Sequence, residues 1–232
     1  MYLQPVNLNT MRNRALKIIV RELLDQPNQG AALDQLSKME LRRVINPLFS
    51  FFYSGDARLR WHAITAAGAV IAAMADRRME DARVMLRRLM WNLNDESGGI
   101  GWGSPEAMGE SMARHARLAD EYAAILVSYL NPDGNFLEHP DLQCGVLWGV
   151  GRLAGRRPKL VTAAVGYLAP FMDSPIPEHR GLGAWCARAL STVTPVDIPA
   201  HILKDPAVVR IYSEGAFYDV PVSRLAAGTG IG

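Results

Sequence analysis

The feature that most constrains this chain is a recurrence at 36 residues, the interval that separates Gly109 from Gly145 and Gly145 from Gly181. Setting Gly145 on Gly181 also brings Val146 onto Leu182 and Arg152 onto Arg188. Between these positions the chain reads as pairs of apolar helical stretches, such as DLQCGVLWGVGRLA and LVTAAVGYLAPFM, parted at Gly155 to Pro158. A helix pair repeating at this length is the mark of stacked hairpins, in which no unit can bury its apolar face alone. The expectation is an all-α fold, an α-α superhelix of about five hairpins, with repeats over about residues 33–191 of a single domain spanning 1–232.

The flanking sequence fits this scheme. Asn9 or Thr10 is placed to cap a first helix with Met11, Ala15, Ile18, Ile19 and Leu23 on its apolar side, and Pro27, Asn28 and Gly30 stop it. A second helix is expected from about Leu33, with Asp34 available as cap and Pro47 bending or interrupting it, before an aromatic block of Phe49, Phe51, Phe52 and Tyr53. Asp56 should cap a long Ala-rich helix, and Met79, Ala82, Met85, Leu86 and Leu89 should form the stripe of the next. Pro105 opens a helical pattern that runs with one possible break to Leu130, where Asn131, Pro132, Asp133 and Gly134 make a turn. Beyond the repeats, Val209, Ile211, Phe217, Val220 and Val222 flank Ser213, Glu214 and Gly215, which points to a small C-terminal β-hairpin at about 205–228, docked on the last helices.

Two units carry a family resemblance, one through Asp56, Leu59, Arg60, Ala63, Ala66 and Gly68, the other through Asp141, Leu142, Gly145, Leu147 and Gly151. They resemble the HEAT-like repeats of the short variety found in phycobiliprotein lyases. That resemblance implies a superhelix with a concave binding face, and it implies no particular activity.

Composition narrows the functional classes. A formal charge of +2 argues against a surface built throughout to coat nucleic acid, although 21 of the 25 cations are Arg, the residue suited to paired contacts with carboxylate or phosphate. Cys144 and Cys186 form no CxxC, and His62, His115, His139, His179 and His201 make no HxH, HxxxH or HExxH spacing, so no metal and no cofactor are expected. His62, beside Trp61, is expected to be a packed core residue and His139 to be exposed at a helix entry. The opening MYLQPVNLNTMRNR has no apolar run, and the longest apolar stretch, residues 63–75, is shorter than the roughly 20 residues needed to span a bilayer. A cytoplasmic protein with no membrane partner is expected.

The segment 91–110, WNLNDESGGIGWGSPEAMGE, is unlike its flanks. It gathers Trp91, Asp95, Glu96, Trp102, Glu106 and Glu110 around glycines that permit tight turns. It lacks the Lys-Ser/Thr of a phosphate-binding loop and the GxGxxG spacing of a dinucleotide site. Glu106 and Glu110, four apart on a helix, share a face and repel mildly, so a partner is expected: Arg114 one turn on, or else a bound cation, a cationic ligand or a partner's Arg. Trp102, between two glycines, must plug into the core or meet a partner. Trp148 and Arg152 share another helical face. These eight residues, with no catalytic group among them, are the expected contacts of a protein- or peptide-binding scaffold.

The stretch LWGVGRLAGRRPKLV also resembles the WALRE-type segment of HEAT-like DNA glycosylases that excise alkylated bases, with Leu153 where that segment has Glu. This resemblance would place Trp148 and Arg152 in a base-excision site, and it makes nucleic acid the alternative partner.

Overall fold

The structure is a computed structural model that describes residues 13–94 and 101–228. The protein is mostly helical, with one two-stranded antiparallel sheet near the C-terminus. No helix among the described residues is long and apolar enough to cross a membrane.

Eleven α-helices occur among the described residues: α1 (Asn13–Leu24), α2 (Gln29–Lys38), α3 (Leu41–Ser50), α4 (Ala57–Arg77), α5 (Met79–Asn94), α6 (Ser104–Arg114), α7 (Ala116–Ser128), α8 (Pro140–Ala154), α9 (Val165–Met172), α10 (Pro177–Leu190) and α11 (Val222–Ala227). Helices α4, α6, α8 and α10 lie side by side, each packed on the next, and α5, α7 and the segment 158–172 back them. This layered stack of hairpins places the repeat glycines where helices must come closest. A methyl group on Gly109 would lie 2.4 Å from the Cα of Gly149 on α8, so α6 and α8 meet backbone to backbone. At Gly68 the added atom would meet the Cβ of Glu110 at 2.6 Å, which brings α4 against α6 in the same way.

Local chemistry sets the boundaries. Asp56 caps α4 as expected, accepting from the backbone N–H groups of Arg58 at 2.9 Å and Leu59 at 3.2 Å. The second helix differs from expectation. Its cap is Asn28, whose side chain accepts from Ala31 N–H, so Asp34 lies inside α2, and the chain breaks at Met39 rather than bending at Pro47, which is buried within α3. In α1 the buried stripe is Leu16, Val20, Leu23 and Leu24, with Ile18 exposed. Both stripes fit the helical period; packing on α3 and α4 decides between them. The caps at Asn9 and Thr10, and Met11 of that stripe, lie outside the described residues. Downstream of Pro105 the helix breaks once, at His115, whose Nδ1 accepts from Leu118 N–H and caps α7.

The hairpin pairs β1 (Val208–Ser213) with β2 (Ala216–Pro221) through a two-residue turn at Glu214 and Gly215, both at positive φ. This is the primed-turn geometry that matches strand twist. Val222, read as extended from the sequence, instead starts α11. The hairpin does dock on α10, where a Cβ at Gly181 would strike Val209, but it also reaches α4 and α8. Tyr212 stacks on Trp61 of α4 at 5.0 Å between ring centroids, and the Trp148 Nε1–H of α8 donates to the Tyr212 carbonyl at 2.9 Å. At the tip, the Gly215 carbonyl faces the His62 ring at 3.2 Å, while the other ring nitrogen lies 2.7 Å from the Leu24 carbonyl. His62 is the packed core histidine that its neighbours in sequence suggested.

Candidate functional site

The crossing hairpin divides the helical face into two compartments that share Trp148 and Tyr212 as walls. The smaller, about 300 Å³, contains Glu110, Arg114 and Arg152 and is closed at one end by the hairpin tip. The larger, about 520 Å³, lies on the other side of Tyr212. Trp61, Trp102 and Trp148 are the indoles of its aromatic lining, and Glu106, Asp141 and Glu178 are the acids among its described lining residues.

The two glutamates expected to act together are separated by this arrangement. Glu110 is 2% exposed, and its two oxygens are held by Arg114 Nε at 2.5 Å and Arg152 Nε at 2.6 Å. Arg152 further binds Glu214 of the turn at 2.7 Å. Burial works against the Arg152 cation, but Glu110 and then Glu214 outweigh it and raise its pKa. This network is internally satisfied, and its job is to tie α6, α8 and the hairpin together. Arg114, the nearest cation in sequence, pairs with Glu110 and not with Glu106, and Arg152 is the partner that neighbour spacing did not reveal.

Glu106 has no such partner among the described residues. It sits in the first turn of α6, behind Gly103, whose left-handed φ of 74° starts the helix, and its carboxyl lies against the bare backbone of Gly145, where an added methyl would come within 2.8 Å. Its Oε2 is buried and makes no hydrogen bond to any of the described residues. Burial pushes the Glu106 carboxyl up to about 7, opposed by its own backbone N–H and by the nearby Arg60 guanidinium. A helix N-terminus favours a carboxylate by only about 0.3 to 1 kcal/mol, whereas a displacement of this size corresponds to about 3 kcal/mol. Desolvation therefore wins. The second repeat glycine thus serves as a socket for a carboxyl, a role the sequence period could not show.

The remaining expected contacts divide as follows. Trp102 is half-buried, edge-on to His139 at 5.0 Å, and forms one wall of the larger compartment. His139 is exposed and caps α8, as its place before Pro140 suggested. Trp91 is 72% exposed on the last turn of α5 and lines neither compartment, so it does not join Trp102 in one site. Asp95 and Glu96 lie outside the described residues. Trp148 is buried with its N–H committed to the hairpin, and Arg152 is committed to two carboxylates, so both are engaged inside the molecule. They carry no argument for base excision in this arrangement.

Sequence reasoning did not find Trp61, Arg60, Asp141 or Glu178 as site residues, because they come from three helices and share no short motif. The neighbouring thiol offers no nucleophile: burial first, then Glu178 and Asp141, push Cys144 up to about 12. A Ser–His pair does occur elsewhere, with Ser174 Oγ 3.1 Å from His179 Nδ1. His179 Nε2 faces the Pro140 carbonyl, so that nitrogen carries the hydrogen and Nδ1 accepts from the serine. Ser174 Oγ also accepts from Ile176 N–H, and Pro175 and Pro177 have no N–H to offer an oxyanion. The pair is a clasp between α8 and the start of α10. Among the described residues no group of three His, Cys, Asp or Glu side chains is arranged to hold a metal ion.

No family model matches the chain, and no curated protein matches it in sequence.

Proposed function

We propose that this protein is a non-enzymatic binding module of the HEAT-like solenoid type, which holds a basic segment of a protein or peptide partner in the larger compartment beside the hairpin. The observation that carries the reading is Glu106, whose buried Oε2 has no donor among the described residues and lies at the edge of an aromatic-lined cavity open to a ligand. Buried polar atoms without partners are rare in folded proteins and call for an explanation. A donor supplied from outside satisfies this one. Asp141 and Glu178 give the cavity further negative charge, which favours a cationic segment over an acidic one. The raised Cys144 thiol gives no support to covalent catalysis in the same place.

The test is binding of three sets of synthetic twelve-residue peptides, basic, acidic and neutral, measured by fluorescence anisotropy against the wild-type chain and Trp102→Ala. The basic set is expected to bind the wild type, with at least tenfold loss in Trp102→Ala and little change in thermal unfolding, since Trp102 is only half-buried. If no set binds, or if the variant binds as well as the wild type, the reading is overturned.

A further inference from the structure

Resting on that reading of the cavity as a binding site, we infer that the larger compartment is a socket for one organic cation that carries N–H groups, a primary ammonium or a guanidinium. A turn of the Glu106 carboxyl, buried as it stands, would bring Oε2 to the cation's hydrogen, and the charge would lie against the aromatic wall of Trp61, Trp102 and Trp148.

Three features of the cavity select this class. Once Glu106 is ionised, acids outnumber bases in the lining, Glu106, Asp141 and Glu178 against Arg60 and Arg210, which disfavours an anion. A metal ion is disfavoured because the described acids do not converge as a ligand set and because indole walls supply no ligand atoms. An indole face does attract an organic cation. Between kinds of organic cation, the unfilled oxygen decides. A quaternary ammonium has no hydrogen to give, so it would satisfy the aromatic wall and leave Oε2 as it is, whereas a primary ammonium or guanidinium satisfies both. The socket is also built rather than incidental. Gly145 makes room for the carboxyl at a distance no side chain there would allow, and Tyr212 of the hairpin, itself stacked on Trp61, fixes the indole next to it.

The same geometry links capture to pH. Glu106 faces Arg60 from α4, Asp141 and Cys144 from α8, Glu178 from α10, Arg210 and Tyr212 from β1, and the phenol of Tyr53. Cys144 and Tyr212 are both pushed up to about 12 by burial and stay uncharged at neutral pH. Glu106, near 7, must lose its proton to pair with a cation. Binding of a guanidinium is therefore weaker by about tenfold at pH 6 than at pH 8.

The experiment uses the full chain and five probes: the Nα-acetyl methylamides of lysine, arginine, norleucine, citrulline and ε-trimethyl-lysine, titrated by indole fluorescence and calorimetry at pH 6 and pH 8. Lysine and arginine probes should bind at least tenfold tighter than the other three, about tenfold tighter at pH 8 than at pH 6, and Glu106→Gln should abolish both differences. Gly145→Ala, whose methyl displaces only the flexible end of Glu106, should weaken binding of the same probes in a protein shown by its melting curve to be folded. Equal binding of norleucine, preference for trimethyl-lysine, or a pH dependence that survives in Glu106→Gln would each overturn the inference. If basic peptides bind but Glu106→Gln leaves their affinity unchanged, the socket falls and the peptide-binding reading stands. If the lysine and arginine probes bind and no peptide does, the socket stands and that reading falls.

Discussion

At the scale of the residue, two glutamates one helical turn apart have opposite fates. Glu110 is buried and completely paired, while Glu106 keeps one buried oxygen, Oε2, without a donor among the described residues. The difference has a consequence for stability. The folded-state pKa of Glu106 stands near 7 against an ordinary value of 4.5, so the folded state holds its proton over a range where the unfolded state has lost it. Stability from this group is whole below the unfolded value and is lost as pH rises through about 7. Glu106→Gln, which keeps the neutral shape at every pH, should therefore match the wild type near pH 4.5 and exceed it by up to about 3 kcal/mol at pH 8. Urea unfolding at the two pH values checks this, and equal stability of the two proteins at pH 8 would mean that water reaches the carboxylate. The sequence could place both acids on one face, since spacing alone does that. It could not show which would be paired, because Arg152, which closes the network on Glu110, lies 42 residues away, and so does the helix pair that brings it there.

At the scale of the element, the glycines divide into those that space helices and those that do not. Gly109 meets the backbone of Gly149, which cannot move without parting α6 from α8, whereas Gly166, exposed on α9, has nothing within 4 Å of an added methyl. Gly109→Ala should destabilise the protein by about 2 kcal/mol or more through overpacking, and Gly166→Ala should be neutral or stabilise it by about 0.5 to 1 kcal/mol, the usual gain from replacing glycine in an exposed helix. Chemical denaturation of the two variants separates these cases, and similar behaviour would show that the helices can shift to accept the methyl. The 36-residue period marked Gly109, Gly145 and Gly181 as equivalent, and the structure gives each a different neighbour: a backbone, a carboxyl and the side chain of Val209. Most of the helices were legible in the same way, through caps such as Asp56 and punctuation such as Pro105 and Asn131 to Gly134. The start of α2 was not, because Asn28 and Asp34 are both of a type that caps helices and only packing chooses between them. The hairpin was legible from its alternation and its Glu-Gly turn, and its docking was not, since Tyr212 reads locally as one more apolar strand residue.

At the scale of the whole molecule, the hairpin changes what kind of object the stack is. A row of helix pairs with contacts only between neighbours can open from either end, and its units unfold with partial independence. Here residues close to the C-terminus reach back to the beginning. Val209 sits in the Gly181 socket of α10, Tyr212 covers Trp61 of α4, Glu214 holds Arg152 of α8, and the tip at Gly215 rests on Gln29 of α2 and His62 of α4. The strap ties α2 and α4 to α8 and α10, and it forms the wall between the two compartments, so the integrity of the candidate site and the cooperativity of folding depend on the same contacts. The exposed ion pair of Glu214 supplies little of this, because a solvated pair contributes about 0.2 to 1 kcal/mol. The buried ring of Tyr212 supplies most, and removing a large buried aromatic costs about 3 to 5 kcal/mol. Tyr212→Ala should therefore convert a single urea transition, the same by circular dichroism and indole fluorescence, into one in which the fluorescence change from Trp61 precedes the loss of helix. Native-state hydrogen exchange should show α4 opening below the global unfolding free energy in that variant and only with it in the wild type. Glu214→Gln should keep the single transition with a loss below about 1 kcal/mol. Coincident transitions in Tyr212→Ala, with α4 and α10 still exchanging together, would show that the helix stack is cooperative without its strap and that the hairpin only covers a face already rigid.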